Sequence, residues 1–231
     1  MIAPQERLIV ALDVDTIERA QALVTELADN VHFYKIGLEL AMSGRYFELL
    51  QWLLDRGKRV FTDLKLYDIP ATVTAAVRQL RSSGASFLTV HGERSVAAAA
   101  ARAKGSQLRI LAVTVLTSTG QDDLRQMGIE LDLQTLVLRR AHDAIEAGCD
   151  GVIASGLEAR ALRRALGPDA LIVTPGVRPA GGGTDDQRRV VTPAEAITAG
   201  ADYIVVGRPV RDAPSPYRAA AAIQAEIAAA L

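Results

Sequence analysis

Acidic and basic side chains lie close together in one short stretch of the chain, in the order Asp63, Lys65 and Asp68. Successive side chains of a β-strand point to opposite faces, so Asp63 and Lys65 face the same way while Leu64 faces the other. A carboxylate beside a lysine keeps the ammonium charged and holds it in place, which suits the lysine to donate a proton. The spacing therefore indicates acid–base chemistry with Lys65 as the proton donor.

Two more charged residues are predicted to share this location. Asp13 ends the first predicted strand, and Lys35 lies in the second. Charges are costly to bury unless they are paired, and a row of alternating carboxylates and ammoniums lets each group stay ionised. Taken one at a time, each of these residues is explained equally well by a structural ion pair. Several of them at neighbouring strand ends favour a catalytic site.

A second group of polar residues follows the last two predicted strands. Strand eight ends at Gly207 and Arg208, where a close backbone N–H and a planar guanidinium suit a phosphate. Strand seven leads into a loop over residues 175–193, which has four glycines and three prolines and carries Arg178 and Gln187. Long loops in compact domains are often binding loops. A turn with a surface arginine is the alternative, and the neighbouring loop favours the phosphate site.

Hydroxyl and imidazole groups give weaker signals. Thr117 and Ser118 follow strand five, where they can hydrogen-bond a polar ring or cap the next short helix, and both interpretations stay open. His91 ends strand four, and we interpret it as a structural hydrogen-bonding residue. The three histidines have no metal-binding spacing, and we expect the single Cys149 to be buried.

These residues are positioned by short β-branched runs that alternate with segments of helical periodicity. Eight strands are predicted at residues 7–13, 32–37, 59–65, 86–91, 109–115, 150–154, 170–174 and 202–206. Helices are predicted at residues 17–29, 41–56, 71–83, 94–103, 133–147, 156–166, 192–199 and 216–230. Such alternation gives right-handed units on a parallel sheet, and eight units predict an α/β fold, a single (β/α)8 TIM barrel domain over residues 1–231. The active site of such a barrel lies at the carboxyl ends of the strands.

The composition excludes several classes of protein. The 231 residues carry 26 Lys+Arg against 27 Asp+Glu, so there is no basic surplus to bind nucleic acid. The hydrophobic fraction of 49 % is that of a globular chain and excludes intrinsic disorder. No apolar stretch approaches the roughly 18 residues that span a bilayer, and no signal peptide is recognisable. We expect a soluble cytoplasmic protein with no membrane partner.

The sequence around these residues resembles the orotidine 5'-monophosphate decarboxylase family. The resemblance extends over essentially the whole chain and rests on the strings LIVALDV, FYKIGLEL, FTDLKLYDIPAT, TVLTS, TPGVRPAGGGTDDQRR and IVVGRPV. The pattern of Asp63, Lys65 and Asp68 is shared with a wider group of sugar-phosphate decarboxylases and aldol-type synthases, whereas the DDQ loop is more specific. The resemblance implies a carbon–carbon lyase of pyrimidine biosynthesis that converts orotidine monophosphate to UMP and CO₂ without metal or organic cofactor.

The resemblance also implies roles for the charged residues. Lys65 protonates C6 of the pyrimidine as CO₂ leaves, and Asp63 lies against the substrate carboxylate. Lys35 and Asp13 contact the ribose and complete the charged network. The electron pair left at C6 is stabilised by the nearby cations, because no metal and no favourable ring position can take it up.

The remaining implied roles concern substrate binding and assembly. The protein is expected to be a homodimer in which Asp68 and Thr72 reach into the active site of the partner subunit. Residues 176–187 are expected to close over the nucleotide. The other implied contacts are those of Thr117 or Ser118 with the pyrimidine, of Pro175 with the ring, and of Gln187, Gly207 and Arg208 with the 5'-phosphate. Because the chain as a whole is not positive, we also expect Arg178 to attract the anionic substrate locally at the barrel mouth.

One departure and two alternatives remain. Glu93 and Arg94 stand where bacterial relatives have small residues, which puts the following helix and the dimer edge in doubt. A sugar-phosphate relative, such as a 3-keto-gulonate phosphate decarboxylase, would use Mg²⁺ at a comparable carboxylate cluster. A catalytically silent barrel that binds nucleotide or serves as a dimeric scaffold is the other alternative, and the intact pair of Asp63 and Lys65 argues against it.

Overall fold

The structure is a computed structural model that describes residues 2–179 and 189–231. Eight parallel strands follow one another around a closed barrel, and β1 pairs with both β2 and β8. The strands are β1 (Leu8–Ala11), β2 (Phe33–Ile36), β3 (Arg59–Leu66), β4 (Phe87–His91), β5 (Arg109–Val113), β6 (Gly151–Ile153), β7 (Leu171–Thr174) and β8 (Tyr203–Val206). Closure leaves no free sheet edge, and the predicted TIM-barrel fold is confirmed.

Helices connect the strands on the outside of the barrel. Those described are α1 (Ile17–Leu27), α2 (Leu38–Ala41), α3 (Tyr46–Leu54), α4 (Pro70–Leu80), α5 (Arg94–Ala103), α6 (Gln121–Gln126), α7 (Leu133–Glu146), α8 (Gly156–Leu166), α9 (Pro193–Thr198), α10 (Arg208–Arg211) and α11 (Pro216–Ala229). The predicted helix at 41–56 is wrong in one respect, because α2 and α3 are separated by Gly44 with a φ of 81°. The short helix α10 lies in a connection where no helix was predicted, and α6 lies after β5, where a short helix was expected without bounds.

Polar side chains at the helix starts explain why the helices begin where they do. The first backbone N–H groups of a helix have no partner within it, and an oxygen of the preceding residue can accept from them. Thr16, Asp132 and Ser155 do this for α1, α7 and α8. Thr192 and Glu195 form a reciprocal capping box at α9.

The hydrophobic core has two layers, one inside the barrel and one between the strands and the helices. The inner layer consists of Ile9, Ala11, Phe33, Phe61, Phe87, Leu111, Val113, Ile153, Val173, Tyr203 and Val205. In the sheet register Ala11 lies beside Lys35, and Lys35 beside Phe61. Residues that continue this inward face toward the carboxyl ends of the strands therefore lie above the inner layer, at the barrel mouth.

Two further expectations concern single features of the chain. Cys149 is buried, and desolvation raises the pKa of its thiol to about 12, so it stays a neutral thiol. None of the helices within residues 2–179 and 189–231 combines the length and the apolar character that crossing a lipid bilayer requires.

Candidate active site

A cavity of about 340 Å³ opens at the carboxyl ends of the strands. One part of its wall is apolar and includes Val113, Ile153 and Val205, which also belong to the inner core. Its polar lining consists of Asp13, Lys35, Asp63, Lys65, Thr117, Ser118, Arg178, Arg208 and Arg211. The cavity thus offers a hydrophobic surface to a flat ring and many charges to an anion.

Four charged side chains from β1, β2 and β3 form a continuous row along one side of the cavity. The Lys35 ammonium lies 2.8 Å from Asp13 Oδ1 and 3.4 Å from Asp63 Oδ2. The Lys65 ammonium lies 2.8 Å from both carboxylate oxygens of Asp63. Carboxylate and ammonium alternate along the whole row, so each charge has an opposite charge beside it.

The row keeps its two most buried members ionised. Burial alone would lower the pKa of Lys35, but attraction to Asp63 and Asp13 outweighs it and raises that pKa above its ordinary value. Burial would raise the pKa of Asp63, but the ammoniums of Lys35 and Lys65 outweigh it and lower that pKa. Lys35 and Asp63 are only 8 % and 9 % exposed, and both remain charged at neutral pH.

The backbone at Lys65 is unusual. Its φ of 47° places a residue with a Cβ in the left-handed region, which is uncommon outside glycine. The pairing of β3 with β4 shifts register between Thr62 and Leu66, and Lys65 lies within that irregularity. The local bend aims the Lys65 side chain into the cavity while Asp63 stays beneath it.

The arginines lie on the part of the cavity wall that follows β7 and β8, and β8 pairs with β1. Gly207 and Arg208 follow β8, and both line the cavity. Arg178 is 7 % exposed and also lines it, just after β7. The backbone N–H of Arg178 donates to the Val191 carbonyl at 3.0 Å, so the two ends of the loop after β7 are held together.

The carboxylate–ammonium row and the arginines form one site in a closed barrel, and comparison with known proteins assigns the chain to a family. A family model described as "Orotidine 5'-phosphate decarboxylase / HUMPS family" matches residues 6–223. The chain belongs to this family. The predicted resemblance is confirmed.

Two similar proteins carry the first name in that family description, orotidine 5'-phosphate decarboxylase. A Methylococcus capsulatus protein named "Orotidine 5'-phosphate decarboxylase" is 53 % identical over 223 residues, which are 96 % of this chain and 92 % of that protein. A Xanthomonas euvesicatoria pv. vesicatoria protein of the same name is 54 % identical over 231 residues, or 100 % of this chain and 95 % of that protein. Solved structures agree in fold. That of the Lactobacillus acidophilus orotidine 5'-phosphate decarboxylase has a TM-score of 0.84 at 37 % identity, covering 96 % of this chain and 99 % of that chain.

The binding residues that the family resemblance implies lie partly within the described structure. Thr117, Ser118 and Pro175 line the cavity with the arginines. The alternative that Thr117 or Ser118 caps a helix is wrong, because Gly120 precedes α6 and its N–H donates to Asp123 at 2.7 Å. The positions 180–188, and with them Gln187 and most of the predicted closing segment, lie outside the described residues. Their roles stay predictions.

The pair that the family resemblance assigns to the partner subunit lies away from the cavity of its own chain. Asp68 and Thr72 are exposed and are not among the described cavity residues. Asp68 accepts the N–H of Ile69 at 2.6 Å, and Tyr67 and Ile69 on either side of it are 63 % and 66 % exposed. The action of these two residues in a partner's active site and the homodimer stay predictions.

The residues that depart from the family pattern form ion pairs with α7. Glu93 lies 3.6 Å from the Arg140 guanidinium, and Arg94 lies 3.2 Å from Glu146. The predicted helix forms despite the departure, since α5 begins at Arg94. Next to them His91 stacks on the Tyr67 ring with 4.8 Å between centroids, and burial lowers its pKa, which agrees with a structural role.

Three site residues were not identified from the sequence. Arg211 lines the cavity and donates to the backbone carbonyl of Asp13; its position three residues after Arg208 on one helical turn was the available signal. A Cβ at Gly37 would lie 3.1 Å from the Lys35 ammonium, so the absence of a side chain leaves room for the charged row. Thr89 is 0 % exposed and hydrogen-bonds Asp63; a polar residue between Leu88 and Val90 was its only signal.

Proposed function

We propose that this chain decarboxylates orotidine 5'-monophosphate to UMP and CO₂, as a carboxy-lyase of pyrimidine biosynthesis. The observation that carries the proposal is the charged row of Asp13, Lys35, Asp63 and Lys65 inside the cavity of a barrel from this family. The printed names of the relatives support the same reaction. The continuous run of strands and helices from β1 to α11 supports a single barrel domain.

The proposed chemical step uses Lys65 as acid. The bond between C6 and the carboxylate carbon breaks, CO₂ leaves, and the electron pair stays at C6 until the Lys65 ammonium donates a proton there. A carbanion at C6 is poorly delocalised, so a cation held in place before the reaction supplies the main stabilisation. The contacts of Lys65 with both oxygens of Asp63 support this, because they hold the ammonium at the cavity before substrate arrives.

Asp63 has a second proposed effect, on the bound substrate. A substrate carboxylate placed near Lys65 would also lie close to the Asp63 carboxylate, and two like charges repel at short distance. Because the pKa of Asp63 is lowered, it stays charged and the repulsion is present at neutral pH. Loss of CO₂ moves the negative charge from the carboxylate group onto C6, where the Lys65 proton neutralises it. The repulsion is thereby relieved, so the interaction favours the reaction.

The arginines are proposed to bind the 5'-phosphate, with Gln187 and the backbone at Gly207. A phosphate remote from C6 supplies binding energy that positions the pyrimidine over the charged row. Arg208 presents a planar guanidinium that can bind two phosphate oxygens at once. Its place on the cavity wall just after β8 supports the assignment.

A homodimer with shared active sites belongs to the same proposal. Asp68 and Thr72 are proposed to complete the charged row of the partner subunit. The exposed apolar side chains of Tyr67 and Ile69 support this, because they flank Asp68 and an interface would bury them.

The deciding experiment follows the absorbance of orotidine 5'-monophosphate after addition of purified protein, with and without EDTA. We expect turnover that EDTA leaves unchanged. Turnover abolished by EDTA would favour a metal-dependent sugar-phosphate relative. Absence of turnover together with tight UMP binding would favour a silent nucleotide-binding barrel.

A further inference from the structure

Thr89 lies behind the charged row and makes two hydrogen bonds to it. Its hydroxyl accepts the backbone N–H of Lys65 at 2.9 Å and donates to Asp63 Oδ1 at 2.8 Å. The direction of both bonds is fixed, since an amide N–H only donates and a carboxylate only accepts. A hydroxyl has one proton and two lone pairs, so one side chain can satisfy both partners.

The first of these bonds lies where the sheet is irregular. Phe61 and Thr62 pair in register with Phe87 and Leu88, but the next aligned pair is Leu66 with Val90. Lys65 lies in the interval with its φ of 47°. The Thr89 side chain thus supplies an acceptor to the Lys65 N–H at the point where strand pairing is interrupted, and this favours the left-handed conformation.

The second bond acts on the partner of the Lys65 ammonium. The oxygen that accepts from Thr89, Oδ1 of Asp63, is also 2.8 Å from the Lys65 ammonium. A carboxylate that accepts a fixed hydrogen bond from below cannot rotate freely. The hydroxyl of Thr89 therefore restrains Lys65 twice, at its backbone and through the carboxylate that holds its side chain.

We propose that Thr89 is a positioning residue for Lys65. Its hydroxyl keeps the Lys65 backbone left-handed and fixes the Asp63 carboxylate, and together these place the ammonium at the cavity. Thr89 is fully buried and is not among the cavity-lining residues, so it acts through Lys65 and Asp63 rather than on substrate. The inference rests on the proposed decarboxylase function.

The test compares Thr89→Val with Thr89→Ser in steady-state turnover of orotidine 5'-monophosphate. Valine keeps the shape and removes the hydroxyl, whereas serine keeps the hydroxyl. We expect Thr89→Val to lower kcat about 10- to 100-fold, the effect of losing a hydrogen bond to a charged group, with KM changed less than about 3-fold. Thr89→Ser should stay within about 3-fold of the wild type.

A matched control comes from the neighbouring strand. Thr62 is also 0 % exposed, and its hydroxyl donates to the Phe87 carbonyl at 2.7 Å, away from the cavity. Thr62→Val removes the same hydroxyl from the same depth, and its kcat should remain close to that of the wild type. An equal loss in Thr62→Val and Thr89→Val would mean a general cost of core substitution and would overturn the proposal.

The pH profile supplies a readout that a purely structural role would not move. Burial raises the pKa of Asp63, whereas the two lysines and, with a smaller effect, the hydrogen bond from Thr89 lower it. The acidic limb of the kcat profile should therefore move to higher pH in Thr89→Val and stay in place in Thr89→Ser. A Thr89→Val enzyme with wild-type kcat and profile, or a Thr89→Ser enzyme as slow as Thr89→Val, would overturn the proposal.

A crystal structure of Thr89→Val separates this inference from the proposed function. The proposed function is tested on the wild type. A wild-type protein that fails to decarboxylate the nucleotide contradicts that function and leaves the positioning by Thr89 to the variant structure. The variant structure tests positioning without any assay. Displacement of the Lys65 ammonium from Asp63, or loss of the left-handed Lys65 backbone, supports the role of Thr89. An unmoved Lys65 and Asp63 contradict it.

Discussion

The Lys65 ammonium lies 2.8 Å from each carboxylate oxygen of Asp63, and the two side chains differ in exposure. The Lys65 side chain is 30 % exposed and that of Asp63 is 11 % exposed. The lysine thus reaches the cavity while the carboxylate lies beneath it. A proton donor held in this way is positioned before substrate binds, and its replacement should affect the chemical step far more than binding.

Replacing Lys65 with alanine should lower kcat for orotidine 5'-monophosphate by more than about 10³-fold, because the acid and the nearest cation are lost together. Calorimetry should show that UMP still binds. Lys104→Ala is a matched control, since Lys104 forms an ion pair of 2.7 Å with Asp150 outside the cavity, and it should retain wild-type turnover. Retained turnover in Lys65→Ala would contradict the proton-donor role.

Arg208→Ala should distinguish phosphate binding from general charge. We expect kcat/KM for the nucleotide to fall about 10²- to 10³-fold, with a much smaller effect on orotidine, which lacks the phosphate. Arg164→Ala, at an exposed position on α8, should change neither value. Steady-state kinetics with both substrates provide the measurement. An equal loss with nucleotide and nucleoside would show that Arg208 does not serve the phosphate.

The sequence predicts most of the barrel and the inward-facing charges for a simple reason. Alternation along a strand is a local property, so it correctly places Asp63 and Lys65 on the cavity side and Leu64 against the outer core. The left-handed backbone of Lys65 and the hydroxyl of Thr89 are different. Both features depend on the shifted pairing between β3 and β4. This pairing joins two separate segments of the chain, so the periodicity of one strand does not predict it.

The incorrect and missing expectations have similar causes. The helix predicted over residues 41–56 spans Gly44, but this glycine adopts a left-handed conformation, so α2 ends at Ala41 and α3 begins only at Tyr46. Arg211 lies in a four-residue helix too short to give a periodic pattern. Its contact with Asp13 appears only when the two ends of the barrel chain meet at β1 and β8.

Mixing two inactive variants should test the shared active site. If Asp68 acts in the partner subunit, a hybrid of Asp68→Ala and Lys65→Ala chains has one site with both residues intact. Equal mixing with full subunit exchange should then restore about a quarter of the wild-type activity in a two-fold symmetric dimer. Turnover after exchange is the measurement, and each homodimer alone is its control. Exchange without recovery would place the action of Asp68 within its own chain.

The charged row should also affect stability as a function of pH. The pKa of Asp63 is lowered in the folded protein from an ordinary value of 3.8, so its contribution to the free energy of unfolding is present above that value and is lost as pH falls through the folded pKa. The raised pKa of Lys35 acts in the opposite direction at alkaline pH: its contribution is present below 10.5 and is lost as pH rises through the folded pKa.

Urea unfolding at several pH values between about 5 and 2 should show this effect. The free energy of unfolding should fall more steeply with decreasing pH in the wild type than in Asp63→Asn, which has no carboxyl to titrate. Asp122→Asn, whose side chain is 83 % exposed, is the control and should keep the wild-type slope. Equal slopes for the wild type and Asp63→Asn would contradict the lowered pKa.

The last prediction concerns a buried ion pair that joins the loop after β7 to α8, while the same arginine hydrogen-bonds the connection after β5. Arg189 donates to Glu158 at 2.6 Å and to the Leu116 carbonyl at 2.9 Å, and both charged side chains are 8 % exposed. Arg189→Met leaves the Glu158 carboxylate buried without its partner, so urea unfolding should show a loss of about 3–5 kcal/mol. The double variant Arg189→Met with Glu158→Leu should recover most of it, since no uncompensated charge remains. Recovery should be incomplete, because the Leu116 carbonyl still lacks its donor. Additive losses in the double variant would show that the two side chains act independently and that the pair does not join the loop after β7 to α8.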